Sequence, residues 1–282
     1  MKVTRFNGGK IGVVEDDQIF DVTRACGVEA SEWPPVGMVR VIAEWQKLLP
    51  EIEAAVRSGT GTPLSSVSLE TPIPWPNKLL ALPSNFHDHH EEMASRPDAT
   101  GGLAAGESGF FMKANSSMIG ASEAIALPTR PGREFHHECE MAIIINQRAR
   151  HVPVEEALDF VFGYACLIDV TLRGREERVM RKSYDTFCPV GPWITTADEV
   201  GDPFDLNMRL WVNGELRQHS WPKMMIVGIR EAIAMCSSVT TLEPGDIIAS
   251  GTMAGVGPLQ PGDEVVIEID RVGKMTLPVM SA

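Results

Sequence analysis

The chain lacks the features that mark membrane proteins and disulfide-stabilised secreted domains. Its longest apolar candidate, Phe160–Ile168, has nine residues between Asp159 and Asp169, whereas a membrane-spanning helix needs about 18–20. No apolar signal core follows the N-terminus. The five cysteines are widely spaced and contain no CxxC pair, which argues against a disulfide framework or a zinc site. These absences predict a cytoplasmic protein with no membrane partner.

Basic residues are scarce relative to acidic ones. The 25 Lys and Arg residues face 38 Asp and Glu residues, which gives a formal net charge of −13. Nucleic-acid-binding proteins usually carry a basic face, so the composition predicts no nucleic-acid partner. A small anionic substrate would need a local source of positive charge. With 282 residues, 44% of them hydrophobic, the chain is long enough for a buried core and one or two domains.

The pattern of apolar and turn residues divides the chain into two predicted domains. Residues 1–70 are predicted to form a small α+β domain, in which a strand meander is followed by a helix and a second helix that restarts at Pro50. Residues 59–77 are rich in Gly, Pro, Ser and Thr and are interpreted as a linker. Residues 75–282 are predicted to form a larger domain. The predicted fold class is α+β and β-rich, without alternating βαβ units.

The larger predicted domain contains many strands and few helices. Glu138–Ile145 ends in an apolar run that is typical of a buried strand. Val154–Phe162 is predicted as a short amphipathic helix and Met225–Ser237 as another. Asn213-Gly214 predicts a tight hairpin between two strands.

Three carboxylates stand next to apolar segments of this domain. Glu138 and Glu140 are two residues apart on a predicted strand, so they project from the same face. Asp169 follows directly after a nine-residue uncharged run. Buried carboxylates without counter-charge are costly, and oxygen ligands favour Mg²⁺, Mn²⁺ or Ca²⁺. The alternative at this stage is a solvated strand edge with Asp169 in a turn.

Histidines are concentrated in one segment. Residues 85–92 contain three of the seven histidines. On a helix, His89 and Glu92 would share a face, and a carboxylate beside an imidazole suits a general base for water. Three alternatives stay open: a polar helix start on the surface, a zinc or iron site through His87 and His89, and a Cys–His hydrolase. The separate His136-His137 pair is interpreted as a solvated approach to a strand.

Several of these segments together resemble the fumarylacetoacetate hydrolase family. The resemblance covers residues 75–282 in order, and Met1–Asp21 is similar to the family's small N-terminal domain. The matching segments are Asn85-Phe86-His87-Asp88-His89-His90-Glu91-Glu92 (N-Y-x-x-H-x-x-E in the family), Phe111-Met112-Lys113 with Ser116-Ser117-Met118-Ile119-Gly120 (a lysine-bearing loop), Glu138-Cys139-Glu140 (E-x-E), Asp169-Val170-Thr171-Leu172-Arg173 (D-x-S/T-x-R), Lys182-Ser183-Tyr184-Asp185-Thr186-Phe187 with Gly191-Pro192-Trp193 (K-S-F/Y-D-T-F and G-P-W), and Thr241-Leu242-Glu243-Pro244-Gly245-Asp246 with the Gly-rich stretch from Ser250 to Gly257.

This resemblance implies a catalytic domain of mixed β-sandwich/roll type. It implies a hydrolase that breaks a carbon–carbon bond in a β-diketo acid, such as an acylpyruvate, fumarylpyruvate or fumarylacetoacetate, in the catabolism of aromatic compounds. The cofactor would be Mg²⁺, with Mn²⁺ or Ca²⁺ as alternatives, the substrate a small anionic 2-oxo or diketo acid, and the assembly a homodimer. The resemblance assigns the metal to Glu138, Glu140 and Asp169, catalysis to His89, Glu92 and Lys182, and substrate binding to Lys113, Arg173 and Thr252.

The sequence departs from the family pattern at four positions. Phe86 stands in place of Tyr, Ile168 in place of Asn, Gly174 in place of an acidic residue and Met253 in place of Pro. The metal and base positions are intact, so these departures bear on substrate identity. Decarboxylation or tautomerisation of oxaloacetate, and hydration or isomerisation of a 2-oxo-enoic acid, remain alternatives on the same site. A ligand-binding member without catalysis is the alternative from another class.

Overall fold

The computed structural model describes residues 1–95 and 103–282. In this part of the chain there are seven α-helices, four 3₁₀ helices and nineteen strands. The α-helices are α1 (Gly37–Ala43), α2 (Trp45–Ser58), α3 (His87–Ala94), α4 (Ala105–Ser108), α5 (Arg178–Lys182), α6 (Ala197–Val200) and α7 (Ile229–Val239). The 3₁₀ helices are Leu64–Ser66, Asn115–Ser117, Val154–Phe160 and Pro222–Met224.

The strands are numbered in chain order. They are β1 (Lys2–Phe6), β2 (Lys10–Glu15), β3 (Gln18–Asp21), β4 (Thr62–Pro63), β5 (Leu69–Glu70), β6 (Leu79–Ala81), β7 (Phe111–Met112), β8 (Met118–Ile119), β9 (Ile125–Leu127), β10 (Phe135–His136), β11 (Cys139–Ile145), β12 (Val161–Ile168), β13 (Thr171–Leu172), β14 (Cys188–Thr196), β15 (Met208–Val212), β16 (Glu215–Ser220), β17 (Ile247–Ala249), β18 (Glu264–Ile269) and β19 (Gly273–Ser281).

Two large sheets organise these strands. The first has twelve strands, with the main order β4-β3-β2-β1-β14-β12-β11-β17-β6-β7, while β5 pairs with β1 and β8 pairs with β14. The second has five strands in the order β16-β15-β18-β19-β9, and β10 and β13 form a separate pair. Parallel and antiparallel pairs both occur, since β6 lies parallel to β17 and β11 antiparallel to β12. This arrangement confirms the predicted α+β, β-rich class.

Strand β11 shows why the first sheet is buried on both faces. Successive side chains of a strand point to opposite faces. Met141 and Ile143 contribute to one apolar core, whereas Ala142 and Ile144 contribute to another on the opposite face. A strand with a core on each side has to be apolar at almost every position. The continuous apolar run of this segment follows from that placement.

The N-terminal strands continue the first sheet. Strand β1 pairs antiparallel with β14, with Val3 opposite Ile194. Val3 also belongs to the same apolar core as Met38 of α1 and Ile144 of β11. The division into residues 1–70 and 75–282 stays a prediction. The structure shows that both parts contribute to one sheet and share that core.

Two local predictions were wrong in detail. The helix break lies at Glu44, with φ −107° and ψ 14°, and Pro50 is inside α2. Pro50 has no N–H and therefore cannot donate a hydrogen bond to the carbonyl of Gln46. Gln46 is an exposed residue. The helix continues past Pro50 because Ile52 and Val56 are buried. The expected linker contains β4 and β5, which pair with β3 and β1.

Two further boundaries also differ from the predictions. The segment expected as one amphipathic helix is a 3₁₀ helix, Val154–Phe160, that passes directly into β12. The helix expected from Met225 begins at Ile229 as α7. The hairpin at Asn213-Gly214 is confirmed, because it joins β15 and β16 with Val212 opposite Glu215. Turn chemistry is a local property, whereas helix ends depend on the packing around them.

A buried ion pair joins the start of β6 to the start of β17. Lys78 Nζ lies 2.6 Å from Asp246 Oδ2, and the Asp246 side chain is fully buried. Asp246 Oδ1 also accepts the Lys78 N–H at 2.7 Å, and Oδ2 accepts the Glu243 N–H at 2.8 Å. Asp246, the last residue of the Thr241–Asp246 motif, therefore has a structural role, since its contacts with Lys78 stabilise the parallel pairing of β6 with β17.

Removing one partner of this pair should destabilise the fold strongly. We expect Asp246→Ala to lower the free energy of unfolding by about 3–5 kcal/mol, because the Lys78 ammonium stays buried without its counter-charge. Urea denaturation followed by circular dichroism measures the change. Glu53→Ala, which breaks the exposed Glu53–Arg57 pair, is the control and should cost about 0.5 kcal/mol or less. Equal losses of unfolding free energy in the two variants would contradict a stabilising role of the Lys78–Asp246 pair.

Candidate active site

The three predicted metal ligands meet where β11 begins and β12 ends. Cys139 lies opposite Ile168 in the antiparallel pair, so Glu138 and Asp169 are neighbours across the strands. The Asp169 N–H donates to the Glu138 carbonyl at 2.9 Å. Glu138 and Glu140 share one face because they are two residues apart on a strand. Ligand oxygens of the three carboxylates lie within 4.8 Å of one another, and all three residues are buried.

Three cationic side chains surround these carboxylates. Lys182 Nζ lies 2.6 Å from Glu138 Oε2 and 2.5 Å from Asp169 Oδ2. Lys113 Nζ donates to Asp169 Oδ1 and, at 3.1 Å, to the carbonyl of Phe187. Arg173 Nη2 lies 3.0 Å from Glu138 Oε1. These contacts distribute positive charge over two of the three carboxylates, Glu138 and Asp169.

The electrostatic environments of the two glutamates are opposite. Burial opposes ionisation of Glu138, but the positive charges of Lys182 and Arg173 outweigh it and hold its pKa far below the usual range. The pKa of Glu140 is raised well above its usual value by burial and by the neighbouring Asp169 and Glu138 carboxylates. The hydrogen bond given to Glu140 comes from the Gly251 N–H at 2.8 Å. Positive charge is therefore in deficit at Glu140.

A divalent cation fits this deficit. The donor set consists of carboxylate oxygens, which hard cations such as Mg²⁺, Mn²⁺ and Ca²⁺ prefer. Like charges in a buried site are unfavourable unless they are compensated. A cation held by Glu138, Glu140 and Asp169 would compensate Glu140, the carboxylate that the lysines and the arginine leave without an ion pair in the described part of the chain.

The two residues that are predicted to activate water lie within hydrogen-bonding distance of each other. His89 lies on α3, and its Nδ1 is 3.0 Å from Glu92 Oε2, one turn later on the same helix. His89 is 4% exposed. Partial burial acts against the charge of Glu92, yet hydrogen bonds from His89 and the Gly255 N–H give it a lowered pKa. The Gly255 N–H donates to Glu92 Oε1 at 3.1 Å, so both carboxylate oxygens are held.

The Gly-rich loop from Gly251 to Gly257 supports both parts of the site through backbone N–H groups. Gly251 has φ +78°, and a Cβ there would lie 2.5 Å from the Cβ of Asn85. The Asn85 side chain donates to the carbonyls of Val227 and Ser250 and accepts the Val227 N–H. Asn85 thereby fixes the chain just before α3 against the loop that contacts Glu140 and Glu92.

Sequence reasoning missed Gln218, which links three segments of the site. Its Oε1 accepts the Cys139 N–H at 3.0 Å and lies 2.9 Å from His137 Nδ1. Its Nε2 donates to Thr252 Oγ1 at 2.8 Å and to the Met253 carbonyl at 2.8 Å. Gln218 comes from β16 of the second sheet, and no local motif marks it. Only the packing of the second sheet against the start of β11 places Gln218 beside the E-x-E segment.

The interpretation of His136-His137 as solvated was wrong. Both residues are buried, at 0% and 1% exposure, because β10 pairs with β13 and the following residues enter the core strand β11. Burial lowers the pKa of His137 to about 4. His137 is therefore a neutral partner of Gln218 at neutral pH.

The three residues expected to bind substrate lie around the same centre. The Lys113 side chain is fully buried and forms an ion pair with Asp169, one of the three predicted metal ligands. Thr252 is 2% exposed and directly follows Gly251. Arg173 is 8% exposed, and its Nε has no hydrogen-bond partner in the described part of the chain. Contacts of these side chains with substrate stay predictions.

The four departures from the family pattern occupy two kinds of position. Phe86, Ile168 and Met253 are buried in the larger apolar core. Gly174 lies at the rim, where a Cβ would overlap the guanidinium of Arg133. Arg133 donates to the Arg173 carbonyl from Nε at 3.0 Å and from Nη2 at 2.6 Å. The space of a side chain at 174 is thus taken by Arg133.

Comparisons with known proteins find relatives along the whole chain. The profile of a family described as "Fumarylacetoacetate (FAA) hydrolase C-terminal" matches residues 78–280. A maleylpyruvate hydrolase from Aquipseudomonas alcaligenes is 42% identical over 287 aligned positions, which cover all of both chains. The crystal structure of maleylpyruvate hydrolase from Sphingobium sp. SYK-6, in complex with manganese(II) and pyruvate, superposes with a TM-score of 0.91 at 48% identity, over all of both chains.

More distant relatives carry other activities. An oxaloacetate tautomerase, Fahd2 of Xenopus laevis mitochondria, is 34% identical over 230 positions, covering 77% of this chain and 69% of its own.

Within the described residues, no helix has both the length and the apolar character needed to cross a membrane.

Removing one carboxylate of the triad should abolish metal binding. We expect Glu138→Ala to weaken Mn²⁺ affinity by more than about 100-fold, because even residues that only support a ligand are worth about 10–100-fold. Isothermal titration calorimetry measures the affinity, and circular dichroism checks the fold. Glu215→Ala, at an exposed position of β16, is the control. Unchanged Mn²⁺ affinity in Glu138→Ala would remove the triad as the metal site.

Proposed function

The chain belongs to the fumarylacetoacetate hydrolase family, and from this premise we propose that it is a metal-dependent hydrolase that cleaves a carbon–carbon bond in an acylpyruvate. The observation that carries the proposal is that two groups of catalytic type occur in one buried site. One is the carboxylate triad within 4.8 Å, and the other is the His89–Glu92 pair at 3.0 Å. Hydrolysis needs both an electron sink and an activated water.

His89 is the proposed base. With Nδ1–H donating to Glu92, the ring carries its lone pair on Nε2. Nε2 can therefore accept a proton from water, and Glu92 stabilises the resulting imidazolium. Because His89 is buried, the attraction between this charge and Glu92 is stronger than it would be in water.

Cationic side chains are proposed to hold the anionic substrate. A divalent cation bound by Glu138, Glu140 and Asp169 would supply Lewis-acid polarisation of the 2-oxo group. Lys182, whose Nζ bridges Glu138 and Asp169, would stabilise negative charge that develops beside the triad. The orphan Nε of Arg173 is a buried donor that a substrate oxygen would satisfy.

The bond changes follow from these roles. His89 Nε2 takes a proton from water while the water oxygen bonds to the carbonyl carbon remote from the pyruvate end. The bond between that carbon and the adjacent methylene carbon then breaks, and its electron pair passes into the enolate of pyruvate. The proton on His89 returns to the methylene carbon. The products are pyruvate and a carboxylic acid, and water is consumed.

The proposed substrate class comes from the relatives. The two most similar proteins above are named maleylpyruvate hydrolases, and one of them was crystallised with pyruvate. We infer an acylpyruvate of maleylpyruvate type, which would arise from the catabolism of an aromatic compound. Magnesium as the working metal, a cytoplasmic location and a homodimeric assembly are finer parts of the same proposal.

Tautomerisation or decarboxylation of oxaloacetate is the second candidate. It is favoured by the 34% identical oxaloacetate tautomerase, because the same enolate would form at the same triad. Neither reaction adds water to a carbonyl, so neither needs a base for water. The intact His89–Glu92 pair, with both oxygens of Glu92 held by hydrogen bonds, favours hydrolysis.

A substrate panel tests the proposal. Purified protein with Mg²⁺ or Mn²⁺ is assayed with maleylpyruvate, fumarylpyruvate, acetylpyruvate, fumarylacetoacetate and oxaloacetate. Loss of enol absorbance and release of pyruvate are followed together. We expect pyruvate release from the acylpyruvates to be fastest. Turnover of oxaloacetate without turnover of any diketo acid would favour the second candidate instead.

Loss of the base should differ from loss of a metal ligand, because it should lower kcat and leave metal affinity unchanged. We expect His89→Ala to lower kcat at least about 100-fold, since general-base catalysis contributes about 10²–10⁴-fold, while Mn²⁺ affinity measured by calorimetry stays within about twofold. His87→Ala, next to it on the exposed side of α3, is the matched control and should keep its activity. Undiminished hydrolysis in His89→Ala would exclude this residue as the base.

A further inference from the structure

We propose that Arg178 and Arg181, on one face of α5, form a second carboxylate site that selects diketo acids with a carboxylate at both ends. The inference rests on the proposed function, since it concerns the end of the substrate that lies away from the triad. Neither arginine belongs to the motifs that assign the metal, the base or the substrate ligands.

Helix α5 brings these arginines to the triad. Lys182, the last residue of α5, contacts Glu138 at 2.6 Å and Asp169 at 2.5 Å. Arg178 and Arg181 are three residues apart, and Arg178 and Lys182 are four apart, so the three cations lie along one face of the helix. One turn of helix spans about 5.4 Å. The face therefore runs from the metal centre to a point about one turn away.

Arg181 directly precedes Lys182 on α5, and a backbone carbonyl positions its side chain. Its Nε donates to the Glu176 carbonyl at 2.7 Å, which fixes the guanidinium plane and leaves both terminal nitrogens available. Burial lowers the pKa of Arg181, the carboxylate of Glu138 counteracts this, and the positive charges of Arg173 and Arg178 add to the lowering. Glu138 and these two guanidinium groups are thus the main charged groups that act on Arg181.

The carboxylate of Glu176 is close to Arg181 in sequence, but it is already paired with another arginine. Glu176 forms a two-pronged ion pair with Arg133, at 2.8 Å and 2.9 Å, and this contact lowers the pKa of Glu176 to about 2. No carboxylate within 4.0 Å of Arg178 or Arg181 is recorded among residues 1–95 and 103–282. The two arginines are left with mutual repulsion that a bound anion would relieve.

The charge of the segment contrasts with the charge of the protein. Residues 173–182 contain five basic and two acidic side chains, whereas the whole chain has a net charge of −13. An isolated basic segment beside a buried site focuses anions into it. Arginine is suited to this task, since its planar fork binds a carboxylate with two parallel hydrogen bonds. A substrate with one carboxylate would use only the cations at the triad.

The test uses a pair of ligands that differ at one end. Succinylpyruvate and butyrylpyruvate have the same carbon chain, but the first ends in a carboxylate and the second in a methyl group. Wild type, Arg181→Gln, Arg178→Gln, Arg181→Lys and the control Arg175→Gln, an exposed arginine of the same segment, are compared. Steady-state kinetics give kcat and KM. Calorimetry in the His89→Gln background with Mn²⁺ gives binding without turnover.

We expect Arg181→Gln to lower kcat/KM for succinylpyruvate by about 10–100-fold, the loss typical of one charge-assisted contact. The change should lie in KM, because the distal carboxylate is bound equally before and during the reaction. Butyrylpyruvate should change by less than about threefold. Arg178→Gln should act in the same direction, Arg181→Lys should restore part of the loss because it keeps the charge without the fork, and Arg175→Gln should match wild type.

Other outcomes separate the inference from the proposed function. Equal losses for both ligands would show that Arg181 supports the metal centre, and an unchanged preference would show that both arginines are simply solvated; either result overturns the second carboxylate site. A wild type that cleaves neither ligand contradicts the proposed function. In that case the calorimetric preference for succinylpyruvate, and its loss in Arg181→Gln, still decides the inference.

Discussion

Repulsion among three buried carboxylates is the constraint on which the rest of the site depends. Glu138, Glu140 and Asp169 have ligand oxygens within 4.8 Å of one another, and such a group is unstable in a protein interior without compensation. Lysines from two distant segments and an arginine converge on Glu138 and Asp169. Glu140 alone has no ion pair within the described residues, so the uneven compensation points to the place where a cation belongs.

The sheet makes this convergence possible. Strands β11 and β12 separate two apolar cores, and the triad lies where both strands leave the region that is apolar on each face. Backbone groups there continue to pair, as the Asp169 N–H does with the Glu138 carbonyl. The carboxylates are therefore mounted on rigid elements. The loop from Gly251 to Gly257 adds backbone donors whose positions are fixed by Asn85.

Local sequence patterns predicted much of the site, because they rest on short-range geometry. The two-residue spacing of Glu138 and Glu140 and the three-residue spacing of His89 and Glu92 both follow from the period of one element. Gln218 could not be predicted in this way, since its role depends on the approach of β16 to β11. The break at Glu44, in place of Pro50, had the same cause: burial of Ile52 and Val56 outweighed a local helix-breaking preference.

The fit of Arg133 over Gly174 has an evolutionary consequence. The guanidinium occupies the volume that a side chain at 174 would need, and it also holds the Arg173 carbonyl and the Glu176 carboxylate. A change at either position therefore affects the other. A side chain gained at 174 would displace the Arg133 guanidinium from its contacts with Arg173 and Glu176, so the two positions are expected to covary.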